Sequence, residues 1–226
     1  MRRIDVYAIF GAAASVLLVS TVASGKDTAP VETDSVAFAS CVTARVPEVI
    51  ERGLSENWAP EKYMTDMPRG ARDKCGKGRL TLHSPDLRYS LAIVSLDMGH
   101  LLTQPIDFSS VPPLSHTMKY GSMLIRRESG QTSEDLQAEM KAAADNDAIL
   151  SGVGECTVRT DPEKARLFLL DPNSKSMRAT ITPVLSSCVP SNTQIKFDAS
   201  TMTGLIALSY IRLIYAASED AGDPNA

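Results

Sequence analysis

The chain has 226 residues, of which 43% are hydrophobic and only 5% aromatic, and its formal net charge is -4. A chain of this size and hydrophobicity can bury the core of one large domain or of two small ones. The basic residues are scattered, and the longest basic cluster, Arg126-Arg127, is followed at once by Glu128. Counterion release would contribute little to nucleic-acid binding, so we expect no nucleic-acid partner.

The first residues have the features of an export signal. Met1-Arg2-Arg3 precedes an apolar run from about Val6 to Ala23, and small residues follow up to Gly25. This order is typical of a bacterial signal peptide, so we predict a signal over 1–25 and a periplasmic or secreted mature protein. An uncleaved membrane anchor is the alternative, because the apolar run is somewhat longer than a typical signal core. The polar residues 26–33 are predicted to form a flexible leader.

Four helices are predicted over residues 34–102. Asp34 can cap a short helix that runs through Phe38 to about Val42, and Pro47 suits the first turn of a second helix. A third helix leads to Cys75 and is interrupted at Pro68, which predicts a short or kinked segment. Before the fourth helix stand a cap, a first-turn proline and an acid, and an apolar stripe follows. These residues are Ser84, Pro85 and Asp86, then Leu87, Leu91, Val94 and Met98.

A connector over 103–132 comes next. Residues 103–115 contain three prolines and are predicted to be loop. Ser133 begins a helix with two acids in its first turn. Gly152 and Gly154 predict a turn between this lead-in helix and Cys156.

The remaining helices are predicted within 133–217. Asp161-Pro162 supplies a cap and a first-turn proline, and a helix interrupted at Pro183 leads to Cys188. The helix that begins at Asp198 is apolar almost all round, so we expect it at the centre of the core.

Three further segments complete the sequence predictions. A membrane span over 199–217 is disfavoured by Arg212 and by many Ser and Thr residues. Short alternation at 79–82 and 194–197 fits either a strand or an extended loop. Residues 218–226 are predicted to form a flexible tail.

The two halves repeat one pattern. Cys41 is followed six residues on by Pro47-Glu48, and Cys156 is followed at the same distance by Pro162-Glu163. The second cysteines and then three further residues match in the same order, with offsets of 115, 113 and 114. We therefore predict an all-α fold of two tandem copies that pack together. The further matches are Leu91, Val94 and Ser95 with Leu205, Leu208 and Ser209.

The four cysteines are predicted to have a structural role. Four cysteines allow three pairings, and the duplication favours Cys41 with Cys75 and Cys156 with Cys188. Buried reduced thiols are the alternative. Because there is no close Cys-x-x-Cys pair and histidines are few, the sequence predicts neither a metal site nor a redox site. We expect no cofactor.

No catalytic set stands out. The three histidines, His83, His100 and His116, show no metal-ligand spacing, and no Gly-x-Ser-x-Gly motif occurs. Glu48 and Glu163 each stand in a first helical turn, where an acid is favoured by the helix dipole. A functional pair of these two carboxylates across the interface between copies is the less favoured interpretation.

One segment resembles a pattern in small exported bacterial proteins of unknown function. The resemblance covers about 65 residues and rests on the run from Glu155 to Arg166, with Cys188 and the helix after it. It implies export, a helical fold and the two-copy layout, and it implies no substrate. The first copy departs from the pattern where Val46 replaces the capping Asp.

The sequence favours a non-enzymatic helical module of the bacterial envelope that binds a protein, a peptide or an envelope component. One alternative is a small periplasmic hydrolase with a site between the copies. That alternative predicts a polar cleft in which His100 or His116 lies beside a carboxylate. The other alternative is a membrane-tethered envelope protein that keeps its N-terminal helix.

Overall fold

The computed structural model describes residues 35–76, 86–120 and 133–222. Within these ranges the chain forms nine helices, and the only β-type pairing is one isolated bridge between Trp58 and Lys119. The predicted signal and leader lie outside the described residues. So do the caps predicted at Asp34 and Ser84, the alternation at 79–82, and His83.

The first copy contributes five helices. They are α1 (Ser35–Arg45), α2 (Pro47–Ser55), α3 (Pro60–Asp66), α4 (Arg69–Cys75) and α5 (Asp86–Met98). Prolines begin α2 and α3. A proline has no N–H group, and in the first turn of a helix that group would have no hydrogen-bond acceptor within the helix. The predicted third helix is two short helices, since the extended backbone at Pro68 separates α3 from α4.

The second copy contributes four helices. They are α6 (Ser133–Thr160), α7 (Pro162–Leu170), α8 (Lys175–Cys188) and α9 (Ala199–Gly222). The Asp161 side chain caps α7 by accepting a hydrogen bond of 3.0 Å from the Lys164 N–H. Residues 194–197 form no strand. α8 continues through Pro183, so this helix is not divided at its proline as α3 and α4 are at Pro68.

The turn predicted at Gly152 and Gly154 is wrong, because α6 is one continuous helix through both residues. The Gly154 position is close to α9: a Cβ atom there would overlap Ser209 Oγ and stand 3.0 Å from the Leu205 carbonyl oxygen. Gly154 therefore allows close packing of two helices rather than a change of chain direction.

The copies match element by element. α1 corresponds to the last turns of α6, α2 to α7, the pair α3 and α4 to α8, and α5 to α9. One disulfide closes each copy, Cys41 with Cys75 and Cys156 with Cys188, which confirms the predicted pairing. The all-α fold of two packed tandem units is confirmed as well.

α5 and α9 form the centre of the molecule. They pack extensively against each other, with α1 against α5 and α6 against α9. By length and composition, Ala199–Ser218 could cross a membrane, but most of it is buried inside the protein, as in the core helix of a soluble fold. Arg212 is buried on this helix and donates through Nη2 to the Ser115 carbonyl, 2.6 Å away.

Candidate functional site

An apolar groove opens where the two copies meet. Its cavity of about 400 Å³ continues into a narrower one of about 130 Å³. The two cavities share Leu96, Asp97, Leu102 and Leu170 and therefore form one elongated groove. α1 and α5 of the first copy and α7 and α9 of the second supply its walls.

The groove collects exposed apolar side chains. Six large hydrophobic residues are exposed in the described part of the chain, and four of them line the groove: Val36, Ile93, Met98 and Leu170. Single exposed apolar residues are normal on a protein surface, whereas a contiguous group marks a place where something binds.

Asp97 places one carboxylate in the apolar groove. Among the described residues that line it, Asp97 is the only Asp, Glu, Lys or Arg. His100 follows at the narrow end, in the turn after α5, and its backbone takes a positive φ of 50°. The groove is thus apolar along its length and acidic at one position.

A buried polar cluster lies on the second copy. Ser151 and Glu155 stand one helical turn apart on α6, and His116 of the connector reaches both. The His116 Nδ1 atom lies 2.9 Å from Ser151 Oγ, and Nε2 lies 3.2 Å from Glu155 Oε2. These contacts assign the Nε2–H to Glu155 and leave Nδ1 to accept the Ser151 hydroxyl.

Arg159 extends this cluster along the connector. Its Nε atom pairs with Glu155 Oε1 at 2.7 Å. Its two other nitrogens donate to the carbonyls of Phe108, Val111 and Pro112 at 2.7–2.9 Å. Glu155 also accepts the Leu114 N–H at 3.1 Å. The network satisfies the backbone of an irregular segment and holds that segment against α6.

The electrostatics keep His116 neutral. Partial burial lowers the pKa of the imidazole below 6.5; the Glu155 carboxylate opposes this shift, and the Arg212 guanidinium reinforces it. A neutral imidazole between a hydroxyl and a carboxylate is able to accept the hydroxyl proton. Ser151 is only 8% exposed.

The connector covers a second surface between the two copies, and the offset of the repeat relates this surface to the groove. The offset of 114 or 115 residues between the copies relates groove residues to residues that hold the connector, so the two sets occupy equivalent positions of the repeat. Arg212 binds the Ser115 carbonyl, and the Asn57 carbonyl accepts the Lys119 N–H at 3.0 Å. Four of the residues that contact the connector are Ser151, Glu155, Arg212 and Asn57, and their counterparts Val36, Ser40, Met98 and Pro172 line the groove.

The predicted residues divide among these features. The four cysteines close the two copies. His116 lies beside a carboxylate, and His100 lies at the groove. Glu163 is paired with Arg166 at 2.7 Å, whereas Glu48 lines a different cavity, described below.

Ser151, Glu155, Ile93 and Leu170 did not stand out as site residues in the sequence. The contacts that bring these residues into a site link α6 to the connector or one copy to the other. No local sequence pattern marks contacts between such distant segments. The offset between copies was the available signal, because it shows where an apolar residue in one copy replaces a polar residue in the other.

Comparison with protein-family models, with curated proteins and with solved structures finds no match to this chain.

Proposed function

We propose that this chain is an exported binding module whose apolar groove receives an extended segment of a partner protein. The observation that carries the proposal is the equivalence between the groove and the face of the second copy that the connector covers. The chain fills one of two related surfaces with its own extended segment. No segment within 35–76, 86–120 and 133–222 covers the other surface, which is lined by exposed apolar side chains.

The chemistry of the groove defines its occupant. Its larger cavity of about 400 Å³ lies within the range of ligand pockets, about 300–1,000 Å³. The walls favour Leu-like or Phe-like side chains, and Asp97 favours a basic residue nearby. In the second copy, backbone carbonyls and N–H groups of the connector make much of the contact, so an extended peptide suits the related surface.

Export is part of the proposal. The two disulfides are compatible with an oxidising compartment. The Arg-rich start and apolar run support cleavage near Gly25 and a periplasmic or secreted mature chain. The resemblance to exported bacterial proteins supports the same localisation. Intact mass of the exported protein tests this, because a mature chain that begins near Lys26 excludes the membrane-tethered alternative.

The groove is tested with a synthetic peptide that carries alternating leucines and one lysine, followed by fluorescence anisotropy. Leu170→Asp places a charge on the groove wall, and we expect it to weaken binding by about tenfold or more. Leu167→Asp is the matched control, because Leu167 is on the same helix, is 39% exposed and does not line the groove. Asp97→Asn should weaken binding of the lysine peptide and not that of a glutamine version.

Equal affinity of the Leu170→Asp and Leu167→Asp variants would contradict the proposal. A peptide in which serines replace the leucines should not bind. If it binds as well as the leucine peptide, the groove is not the binding surface.

A second candidate function is an ester hydrolase centred on Ser151. The chain from hydroxyl to imidazole to carboxylate through Ser151, His116 and Glu155 favours it. In this reaction Ser151 Oγ attacks an ester carbonyl while its proton passes to His116 Nδ1 and then to the leaving alkoxide. Water releases the acid from the acyl-enzyme and restores the hydroxyl. The burial of Ser151 weighs against this candidate.

Labelling with a fluorophosphonate probe, combined with p-nitrophenyl acetate turnover, separates the two functions. The hydrolase requires labelling at Ser151 and loss of turnover in Ser151→Ala and His116→Gln. The binding module requires neither, and Ser151→Ala should leave peptide affinity in the groove unchanged.

A further inference from the structure

A second cleft lies on the first copy, on the other side of the end of α5 from the groove. An inner cavity of about 350 Å³ is lined by Thr43, Ser95 and Met98 among others. An outer cavity of about 480 Å³ is lined by glutamates of α2 and by Ser218. Glu51 and Tyr215 line both cavities, so the two form one cleft.

The related place in the second copy is occupied by an arginine. Arg166 of α7 pairs with Glu163 through two contacts of 2.7 and 2.8 Å and donates to the Leu102 carbonyl at 2.9 Å. With the offset of 115 residues, Glu163 corresponds to Glu48, and Arg166 corresponds to Glu51. The first copy therefore keeps the carboxylate that binds a guanidinium and replaces the guanidinium itself with a second carboxylate.

No cation of the described chain lies within ion-pair distance of Glu48 or Glu51. Two other charged residues, Arg52 and Glu56, also line the outer cavity, and both have contacts of their own. Glu56 pairs with Lys119 at 2.8 Å and accepts the Trp58 indole N–H at 3.1 Å. Arg52 lies over the Trp58 ring, 5.6 Å from its centroid. Because Lys119 pairs with Glu56, the charges that remain on this surface are those of Glu48, Glu51 and Arg52, and their sum is negative.

A buried hydroxyl on the inner wall points to a ligand independently of the acids. Thr43 is 7% exposed, and in the described structure its Oγ1 atom has no hydrogen-bond partner. A threonine within a helix can donate to the carbonyl four residues earlier, as Thr157 does to Val153 at 2.8 Å. The counterpart of Thr43 in the second copy is Val158, which is fully buried and has no hydroxyl to satisfy.

Tyr215 is a neutral hydrogen-bonding group in this cleft. Burial raises the pKa of its phenol to about 12, and the nearby Glu51 carboxylate adds to the shift. Its hydroxyl is thus available as a donor or an acceptor and adds no charge. Met98, Leu101 and Pro47 supply apolar contacts for an alkyl chain.

We propose that this cleft binds an alkylguanidinium group, such as an arginine side chain presented by a ligand, in the place that Arg166 takes in the second copy. Glu48 and Glu51 bind the guanidinium, whose planar donor pattern matches carboxylates in two-point contact. The hydroxyls of Thr43 and Tyr215 supply further hydrogen bonds inside. This site shares Met98 with the peptide groove and is otherwise lined by different residues, and neither proposal depends on the other.

The test is an NMR titration of the isotope-labelled, disulfide-bonded chain with Nα-acetyl-arginine amide. Nα-acetyl-citrulline amide is the neutral control, because it keeps the shape and loses the charge. We expect saturable shifts of the Thr43, Glu51 and Gly99 amides with the arginine compound only. Glu51→Arg restores the glutamate and arginine pattern of the second copy, so it should abolish binding while the chain stays folded.

Thr43→Val tests the inner wall. It should weaken binding by about threefold to tenfold and leave the spectrum of the free protein otherwise native. Glu134→Gln removes an exposed acid of α6, away from the cleft, and should bind as the wild type does.

Three results would overturn the proposal. They are equal shifts with the citrulline compound, undiminished binding by Glu51→Arg, and no saturable shift in the cleft at millimolar concentrations.

Discussion

The two copies have corresponding helices in the same order, yet their equivalent surfaces differ in chemistry and in what covers them. In the second copy Ser151 and Glu155 hold the connector, and Arg166 fills the space beside Glu163. In the first copy the corresponding surfaces are an open apolar groove and an open acidic cleft. On our proposal, duplication supplied two similar scaffolds: in the described structure the chain itself covers the surfaces of one, and those of the other are open to ligands.

This comparison implies that the shared features stabilise the fold and that the differing ones bind. A disulfide closes each copy. Groove and cleft residues differ in chemistry between copies, as Val36 does from Ser151 and Glu51 from Arg166. Four substitutions or conditions test this division, from the largest expected effect to the smallest.

Removal of either disulfide should have the largest effect on stability. The sequence separations are nearly equal, 34 for Cys41 and Cys75 and 32 for Cys156 and Cys188. Each double Cys→Ala variant should therefore lose about 3–4 kcal/mol of unfolding free energy, measured by urea denaturation. A large loss from one pair and none from the other would show that the copies are not equivalent units.

A methyl group added at Gly154, where α6 packs closely on α9, should destabilise the fold. A Cβ atom at Gly154 would overlap Ser209 Oγ and press on the Leu205 backbone, so Gly154→Ala should cost about 1–3 kcal/mol. Gly70→Ala in α4 is the control, because nothing lies within 4 Å of an added Cβ there. It should raise the stability by up to about 1 kcal/mol. Thermal unfolding of both variants checks the sign of each change.

Exchange of one buried pair between the copies should give opposite effects. Thr43→Val removes a buried hydroxyl without a partner, so the free energy of unfolding should stay level or rise slightly. Val158→Thr puts a hydroxyl into a fully buried site and should cost about 1 kcal/mol. If the two variants shift the urea midpoint in the same direction, the equivalence of these positions is wrong.

The smallest effect concerns acid and the connector. The pKa of His116 is lowered in the folded chain, so protonation favours the unfolded state. The stability from neutral His116 is present above pH 6.5 and is lost as the pH falls through the folded-state pKa.

Because the ring is partly exposed, this contribution should be at most about 1 kcal/mol. His116→Gln should therefore lose more stability at pH 7.5 than at pH 5, as urea unfolding measures. A larger loss at the lower pH would reverse the sign and contradict this account of the cluster.

Local patterns were enough to predict much of the fold. Proline and aspartate at helix starts, the apolar stripe after Asp86 and the spacing of the cysteines predicted the helix order and the disulfides. The wrong turn prediction came from packing between distant segments, because Gly154 marks a close helix crossing rather than a turn.

The candidate sites were less predictable. The sequence hypothesis that His116 lies beside a carboxylate in a hydrolase site matches the contact with Glu155, while the activity itself stays a prediction. Leu170 and Tyr215 carry no local signal, because each faces its site only after both copies have packed. The offset between copies would have revealed Glu51, since it stands where the second copy has Arg166.

The most direct test of the account maps the leucine and lysine peptide onto the chain by amide chemical-shift changes. The account predicts changes along the groove, at Val36 and Ser40 of α1, at the end of α5 and at Leu170 of α7. Changes confined to the outer face of α8, with the groove unaffected, would contradict the claim that the first copy keeps open the surface that the connector covers in the second.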